Sequence, residues 1–380
     1  MKRIGIGILC LVCLGAHAQV LRDINYSYRY NPGIGFFLNW NVTRSGDTYT
    51  LFYDLQLTDT TQKNAYSIQF ELRESLSDKS GNAVTTPSSL SGSRDFQAQE
   101  KQNILVAKVK AGDGDKATVY IFYNLLPTQN SQYLVVNQRP VLNGFVHLQE
   151  PLQFLGFDQR PVTASYYSDF FPAAAPPFAT AQAKVSKTIA PDSLFSIDPA
   201  LATKFLKKGL YLLQTDTAST TGLAFRVEDD YPKLGRLETL AGPLLYICTK
   251  QENEKLRQAG NDKKKFDQVI LSITGNAERA RTFMRTYFKR VELANQYFTS
   301  YKEGWKTDRG MIYIIFGVPE EVYLFDDREV WEYKNEQTKI RFQFTKSPSL
   351  FDPDNYVLIR DKKFNTPWLD MVDLWRKARF

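Results

Sequence analysis

Apolar residues alternate with polar ones over the first part of the chain. In Tyr49–Leu57, Leu51, Tyr53, Leu55 and Leu57 share one face of an extended segment, and Ile68, Phe70 and Leu72 repeat the device. Ile104–Val109 and Thr118–Tyr123 flank Ala111-Gly-Asp-Gly-Asp115, whose glycines and aspartates suit the positive φ of a tight hairpin turn. Further short strands are expected at Tyr133–Val136, Val141–Leu148 and Leu152–Phe157. This even spacing without helical intrusion predicts an all-β sandwich, immunoglobulin-like or similar, over residues 19–160. Then the pattern breaks. Phe171-Pro-Ala-Ala-Ala-Pro-Pro177 lacks donors and has fixed φ at its prolines, so 161–235 is read as a linker or surface strap followed by a small β unit containing Gly209–Leu213 and Gly222–Val227. From about Arg236 the period becomes helical: Met284, Tyr287, Phe288, Val291, Ala294 and Phe298 mark one face of a long amphipathic helix. Trp368–Trp375 has the same period and predicts a docking helix. The fold expected is a multidomain α+β protein, with the α+β part over 236–380.

The N-terminus changes what the composition means. Lys2 and Arg3, the apolar run Ile4–Gly15 and the small residues of Ala16-His17-Ala18 form a secretory signal, read as 1–18 with cleavage after Ala18. The run is shorter than the roughly 20 apolar residues a spanning helix needs. The expectation is an exported protein, periplasmic or outer-membrane-associated, and not integral to the membrane. Of three cysteines and two histidines, only Cys248 and His147 remain after cleavage. That excludes an internal disulfide and zinc sites built from several Cys and His, and no metal or cofactor is expected. Cys248 lies among apolar neighbours and is read as a small buried hydrophobe. Removing Lys2 and Arg3 lowers the formal net charge from +7 to about +5. The basic residues around Lys263–Lys265 and Arg279–Arg290 therefore read as a solvated helix face, and nucleic acid is not an expected partner.

After the long helix come Gly304-Trp305-Lys-Thr307-Asp308-Arg309-Gly310, then Met-Ile-Tyr313-Ile-Ile-Phe316-Gly317-Val-Pro319, and later Glu329-Val-Trp331-Glu-Tyr333. Over roughly Leu237–Phe380 these words resemble the GWxTD-domain family of exported bacterial proteins, known mainly from Bacteroidota. The resemblance implies a cell-envelope setting and brings no established activity with it. Physically, Gly304 suits a left-handed cap on the preceding helix, Trp305 can pack back on its last turn, and Gly310 suits a turn residue with positive φ. Asp308 can bond its own backbone, and a strand is expected to begin at once and run to Phe316. Gly304, Gly310, Gly317 and Pro319 are thus structural residues of a helix-to-strand corner. In a second reading, Thr307, Asp308 and Arg309 line a groove with Trp305, Trp331 and Tyr333, presenting a carboxylate, a guanidinium and aromatic faces to a glycan or peptide.

Two acidic pairs, Glu320-Glu321 and Asp326-Asp327, raise glycoside hydrolysis, but neighbours along a strand point to opposite faces and nothing fixes their separation. Asp352-Pro-Asp354-Asn355 lacks the glycine and distal glutamate of a calcium loop and reads as a turn. No catalytic residue is therefore assigned. The expected function is a non-catalytic periplasmic or envelope interaction protein, an accessory subunit of an outer-membrane-associated complex whose partners are other envelope proteins. The alternative is a glycan-binding or glycan-hydrolysing protein using the carboxylates and aromatic surface of the C-terminal domain.

Overall fold

The computed structural model describes residues 21–59, 61, 66–111, 118–125, 131–157, 160–168, 171–180, 189–334 and 339–380. The signal segment 1–18 and the turn residues 112–117 of the expected hairpin lie outside the described residues. The chain has a β-rich N-terminal part and a C-terminal part of helices on a sheet, an α+β multidomain arrangement.

The first sandwich follows the alternation closely. Its strands are β1 (Phe36–Ser45), β2 (Thr48–Leu57), β3 (Tyr66–Arg73), β4 (Asn82–Thr85), β5 (Ser91–Phe96), β6 (Ile104–Ala111) and β7 (Val119–Asn124). They form two antiparallel sheets, β1-β2-β5 and β4-β3-β6-β7, and β6 pairs with β7 as the hairpin reading requires. Leu51, Tyr53 and Leu55 from one sheet meet Ile68, Phe70, Leu105 and Ala107 from the other in a single core. One face buried and one face wet is the condition that fixes register in such strands.

The next strands are divided differently from the expected 19–160 and 161–235. They are β8 (Tyr133–Val136), β9 (Arg139–Pro140), β10 (Phe145–His147), β11 (Pro151–Leu155), β12 (Val162–Tyr167), β13 (Ser193–Ile197), β14 (Thr203–Lys204), β15 (Gly209–Gln214) and β16 (Leu223–Glu228). Strands β10 and β11 pair with β16 and β14 of the later segment, and β8 and β9 join through β11, giving sheets β10-β16-β15-β12-β13 and β14-β11-β8-β9 around one core of Leu152, Val162, Ala164, Leu213, Phe225 and Val227. This is a second sandwich. Uniform strand spacing hid the boundary, because alternation reports a buried face without reporting which core buries it.

The C-terminal part contains α1 (Leu237–Leu240), α2 (Lys250–Ala259), α3 (Lys263–Thr274), α4 (Ala277–Phe298), α5 (Asp308–Phe316) and α6 (Asn365–Arg376). Its antiparallel sheet runs β17 (Glu321–Leu324), β18 (Arg328–Lys334), β19 (Lys339–Lys346), β20 (Tyr356–Leu358). The long helix and the docking helix are where the periodicity put them. Asn276 caps α4 by accepting the Arg279 N–H. The strand expected through Phe316 is instead α5. Met311–Ile315 is apolar on every side, which suits a helix enclosed in a core as well as a buried strand. All five of those residues are buried.

Two pieces of the chain are tied into this C-terminal core from a distance. Leu21, Ile24, Tyr26 and Tyr30 belong to it, not to the first sandwich. Asn25 donates to the Glu320 carbonyl and accepts from Val322 N–H, while Tyr26 packs edge-on to Phe122 of β7. The Pro/Ala stretch is a strap on the same domain: Ala174 N–H donates to Lys306 O, and Asp361 N–H to Pro177 O. Among the described residues no helix is long and apolar enough to cross a membrane.

Candidate functional site

The words singled out in the sequence meet at the start of α5. Helix α4 ends at Phe298 with Thr299 extended, so Gly304 does not cap it; the residue opens a 3₁₀ turn, Gly304–Lys306. Neither Gly304 nor Gly310 has positive φ. Both are needed for closeness instead. A Cβ on Gly304 would lie 2.1 Å from Ala294 O, and one on Gly310 would lie 1.9 Å from Gly304 O. Thr307 is the N-cap of α5: its Oγ1 accepts the Gly310 N–H at 2.9 Å and donates to Gly304 O at 2.8 Å. The Gly-x-x-Thr-x-x-Gly spacing is thus a closed backbone knot. The expected corner is corrected to a 3₁₀-to-helix start. Replacing Thr307 by Ala should cost about 1–2 kcal/mol, the loss of a good N-cap, while Thr307→Ser should keep most of it; urea unfolding of the two variants checks this.

Each polar side chain of the motif has a partner inside the protein. Asp308 does not bond its own turn. Its carboxylate accepts the Leu358 N–H of β20 at 2.9 Å and pairs with Arg360, whose side chain is 2% exposed. Arg360 donates on to the strap at Ala175 O, 3.0 Å away. Arg309 pairs with Glu329 of β18 at 3.1 Å and lies over the Tyr356 ring. Burial disfavours its cation, but Glu329, Tyr30 and Tyr356 outweigh this and hold the guanidinium pKa above its ordinary value. Glu329 also accepts from Tyr30 Oη and Trp331 Nε1.

The aromatic candidates are interior. Trp305 is 7% exposed, donates its N–H to Asn295 Oδ1 and receives Tyr246 Oη on its carbonyl. Trp331 is fully buried among Tyr30, Phe298 and Phe344. Tyr333 is buried and donates to Gly317 O. Gly317, with φ +86°, ends α5 where Arg290 donates to the Ile314 and Ile315 carbonyls, a cation on a helix C-terminus. Pro319 is buried just beyond it.

Sequence reasoning missed the residues that hold this start in place. Arg226 of β16 is fully buried, bonds Glu228 and donates to Tyr301 O, and Glu303 joins it to Lys306 and Lys208. Burial pushes the Glu228 carboxyl up against the pull of Arg226 and Lys208. This charge network fastens the second sandwich to the residues just before the motif. The acidic pairs stand apart from it: Glu321 is paired with Lys334, which with its hydrogen bond holds that carboxyl at about 2, and Asp327 pairs with Arg328. Cys248 is half-buried, and burial pushes its thiol to about 12. His147 is exposed on β10. Among the described residues, no group of three or more His, Cys, Asp and Glu side chains could hold a metal ion.

Beside Thr307 and Asp308 lies a cavity of about 300 Å³, walled by the strap, Tyr301, Lys302, Phe351 and Tyr356. A second, of about 230 Å³, adjoins Arg309 and Asp352. Burial raises the Asp352 carboxyl to about 6.

These features define a protein of two β-sandwiches fastened to an α+β domain whose central buried helix is started by a Gly-Trp-x-Thr-Asp knot. Residues 209–377 match the family model described as the GWxTD domain, and the chain is a GWxTD domain-containing protein. The match begins at β15, earlier than the motif words suggested, and so takes in both β15 and the Arg226–Glu228 strand that anchors them. Comparison with curated proteins gives no match.

Proposed function

We propose that this chain is an exported, non-catalytic interaction protein of the bacterial cell envelope, acting as an accessory subunit of an outer-membrane-associated complex. The observation that carries the reading is the commitment of Thr307, Asp308 and Arg309 to internal partners, which leaves the motif the work of building a rigid body. A rigid body with two sandwiches offers surface for partners. On the second sandwich, Leu194, Leu201 and Leu206 are 61%, 63% and 72% exposed along the segment that forms the outer strands β13 and β14. Exposed apolar residues gathered near sheet edges favour a protein partner. Export itself rests on the charged start, apolar run and Ala16-His17-Ala18 of the N-terminus.

The test is cross-linking and affinity purification of the tagged chain from native envelope, beside a Leu201→Glu, Leu206→Glu variant whose thermal unfolding matches the parent. A defined envelope protein recovered in constant ratio with the parent and lost with the variant is the expected result. Retention by a glycan matrix that an Asp308→Asn protein of parental stability loses, with no protein partner recovered, would support the glycan reading and overturn this one.

A further inference from the structure

The cavity beside the motif sits where the strap, the second sandwich and the C-terminal domain meet. Phe351 joins all three: it packs edge-on to Tyr167 of β12 and belongs to a small core with Leu210, Leu212, Phe171 and Tyr301. Junctions of this kind are where ligand pockets concentrate, and about 300 Å³ lies at the small end of their range. Its walls are mostly aromatic and aliphatic, from Phe171, Ile189, Tyr301, Phe351 and Tyr356.

One charge in this wall is treated differently from its neighbours. Glu303 is paired with Lys306, and Asp308 with Arg360. Among the described residues, the half-buried Lys302 ammonium has one hydrogen-bond partner, the Pro172 carbonyl 3.3 Å away, and lies 5.6 Å from the Tyr301 ring centroid, with no ion pair. An ammonium drawn out of water against apolar walls, with no carboxylate in contact, is stabilised by an anion that enters with it. We propose that this cavity is a binding site for a small organic carboxylate with an apolar body, the carboxylate pairing with Lys302 Nζ and the body lying against Tyr301, Phe351 and Phe171.

Lys302 also makes the site responsive to pH. Burial lowers its pKa to about 8; Asp308 and Glu303 favour its charged form, and Arg360 and Lys306 oppose it. A bound carboxylate would favour the cation further. Affinity should therefore be full between about pH 6, where the acid is ionised, and about pH 8, and fall as the pH rises above it.

The test uses the full chain with 3-phenylpropionate as probe and 3-phenylpropan-1-ol as its uncharged counterpart, titrated by calorimetry at pH 7 and pH 9.5. The acid should bind at least about 10-fold more tightly than the alcohol at pH 7, and the preference should shrink at pH 9.5. Lys302→Met should bind acid and alcohol alike. Ala173→Leu, which fills the cavity from the strap and keeps Lys302, should weaken both. Equal binding of acid and alcohol by the parent, an acid preference that survives Lys302→Met, or no binding at tens of millimolar probe would each overturn the proposal. Thermal unfolding of both variants identifies a folding defect, and the acid-to-alcohol comparison on the parent decides the question without them.

Discussion

Trp305→Ala is expected to lose about 3–5 kcal/mol of stability, the range for truncating a core aromatic whose site cannot collapse. Collapse is blocked here by backbone. Trp305 is held between Gly242, whose Cβ position lies 3.1 Å from the indole, and Tyr246, while its own N–H and carbonyl are bonded to Asn295 and Tyr246. Asn295, fully buried, also donates to Pro232 O, so the vacancy would open beside a polar bridge that reaches the loop after β16. For a domain of ordinary stability, about 5–15 kcal/mol, such a loss is about a fifth or more of the total. Guanidinium unfolding followed by far-UV circular dichroism measures it, and Trp305→Phe should recover more than half.

Asp308→Asn is expected to be nearly as costly, about 3–5 kcal/mol, for a different reason. Read as a turn residue, Asp308 would lose little, since an asparagine keeps the accepting oxygen. The structure reverses that expectation. An asparagine can still accept from Leu358 N–H, but it strands the Arg360 guanidinium, which is buried and fixed to the strap. Breaking a buried pair by neutralising one member leaves an uncompensated charge, and that penalty exceeds what the intact pair contributes. The loss should appear in urea midpoints and in faster proteolysis near residues 171–180, because the strap shares the same arginine.

How much of this was legible in the chain depends on distance along it. The first sandwich, α4 and α6 follow from local period, since burial of one face writes itself directly into Tyr49–Leu57 or into Met284–Phe298. The second sandwich is not separable from sequence, because β8–β11 look like further strands of the first and only the pairing of β10 with β16 and of β11 with β14 reassigns them. Helix α5 reads as a strand from sequence because a run enclosed on all sides has no period to read; the turn reading rests on Asp308 and Gly310, while Thr307, the actual cap, enters only as a groove residue. The motif's residue types were legible, but their jobs were not. Arg360 lies 52 positions from Asp308, and Glu329 lies 20 from Arg309. Nothing in sequence spacing announces such pairs. Glycine was interpreted through φ at Gly304 and Gly310, where the requirement is the approach of one backbone to another; only Gly317 among the motif glycines has the positive φ.

The central claim is that the Gly-Trp-x-Thr-Asp motif is an internal device for starting α5 and fastening β20 and the strap to it. The most direct measurement is a double-mutant cycle of Asp308→Asn and Arg360→Met, with unfolding free energies from denaturant titration of the four proteins. The account predicts that each single variant is strongly destabilised and that the double variant recovers at least about 1–2 kcal/mol relative to the sum of the two, because removing both charges leaves neither stranded. An Asp308→Asn protein as stable as the parent, with no coupling to Arg360 and a lost partner or ligand, would contradict it and place the carboxylate in a recognition site.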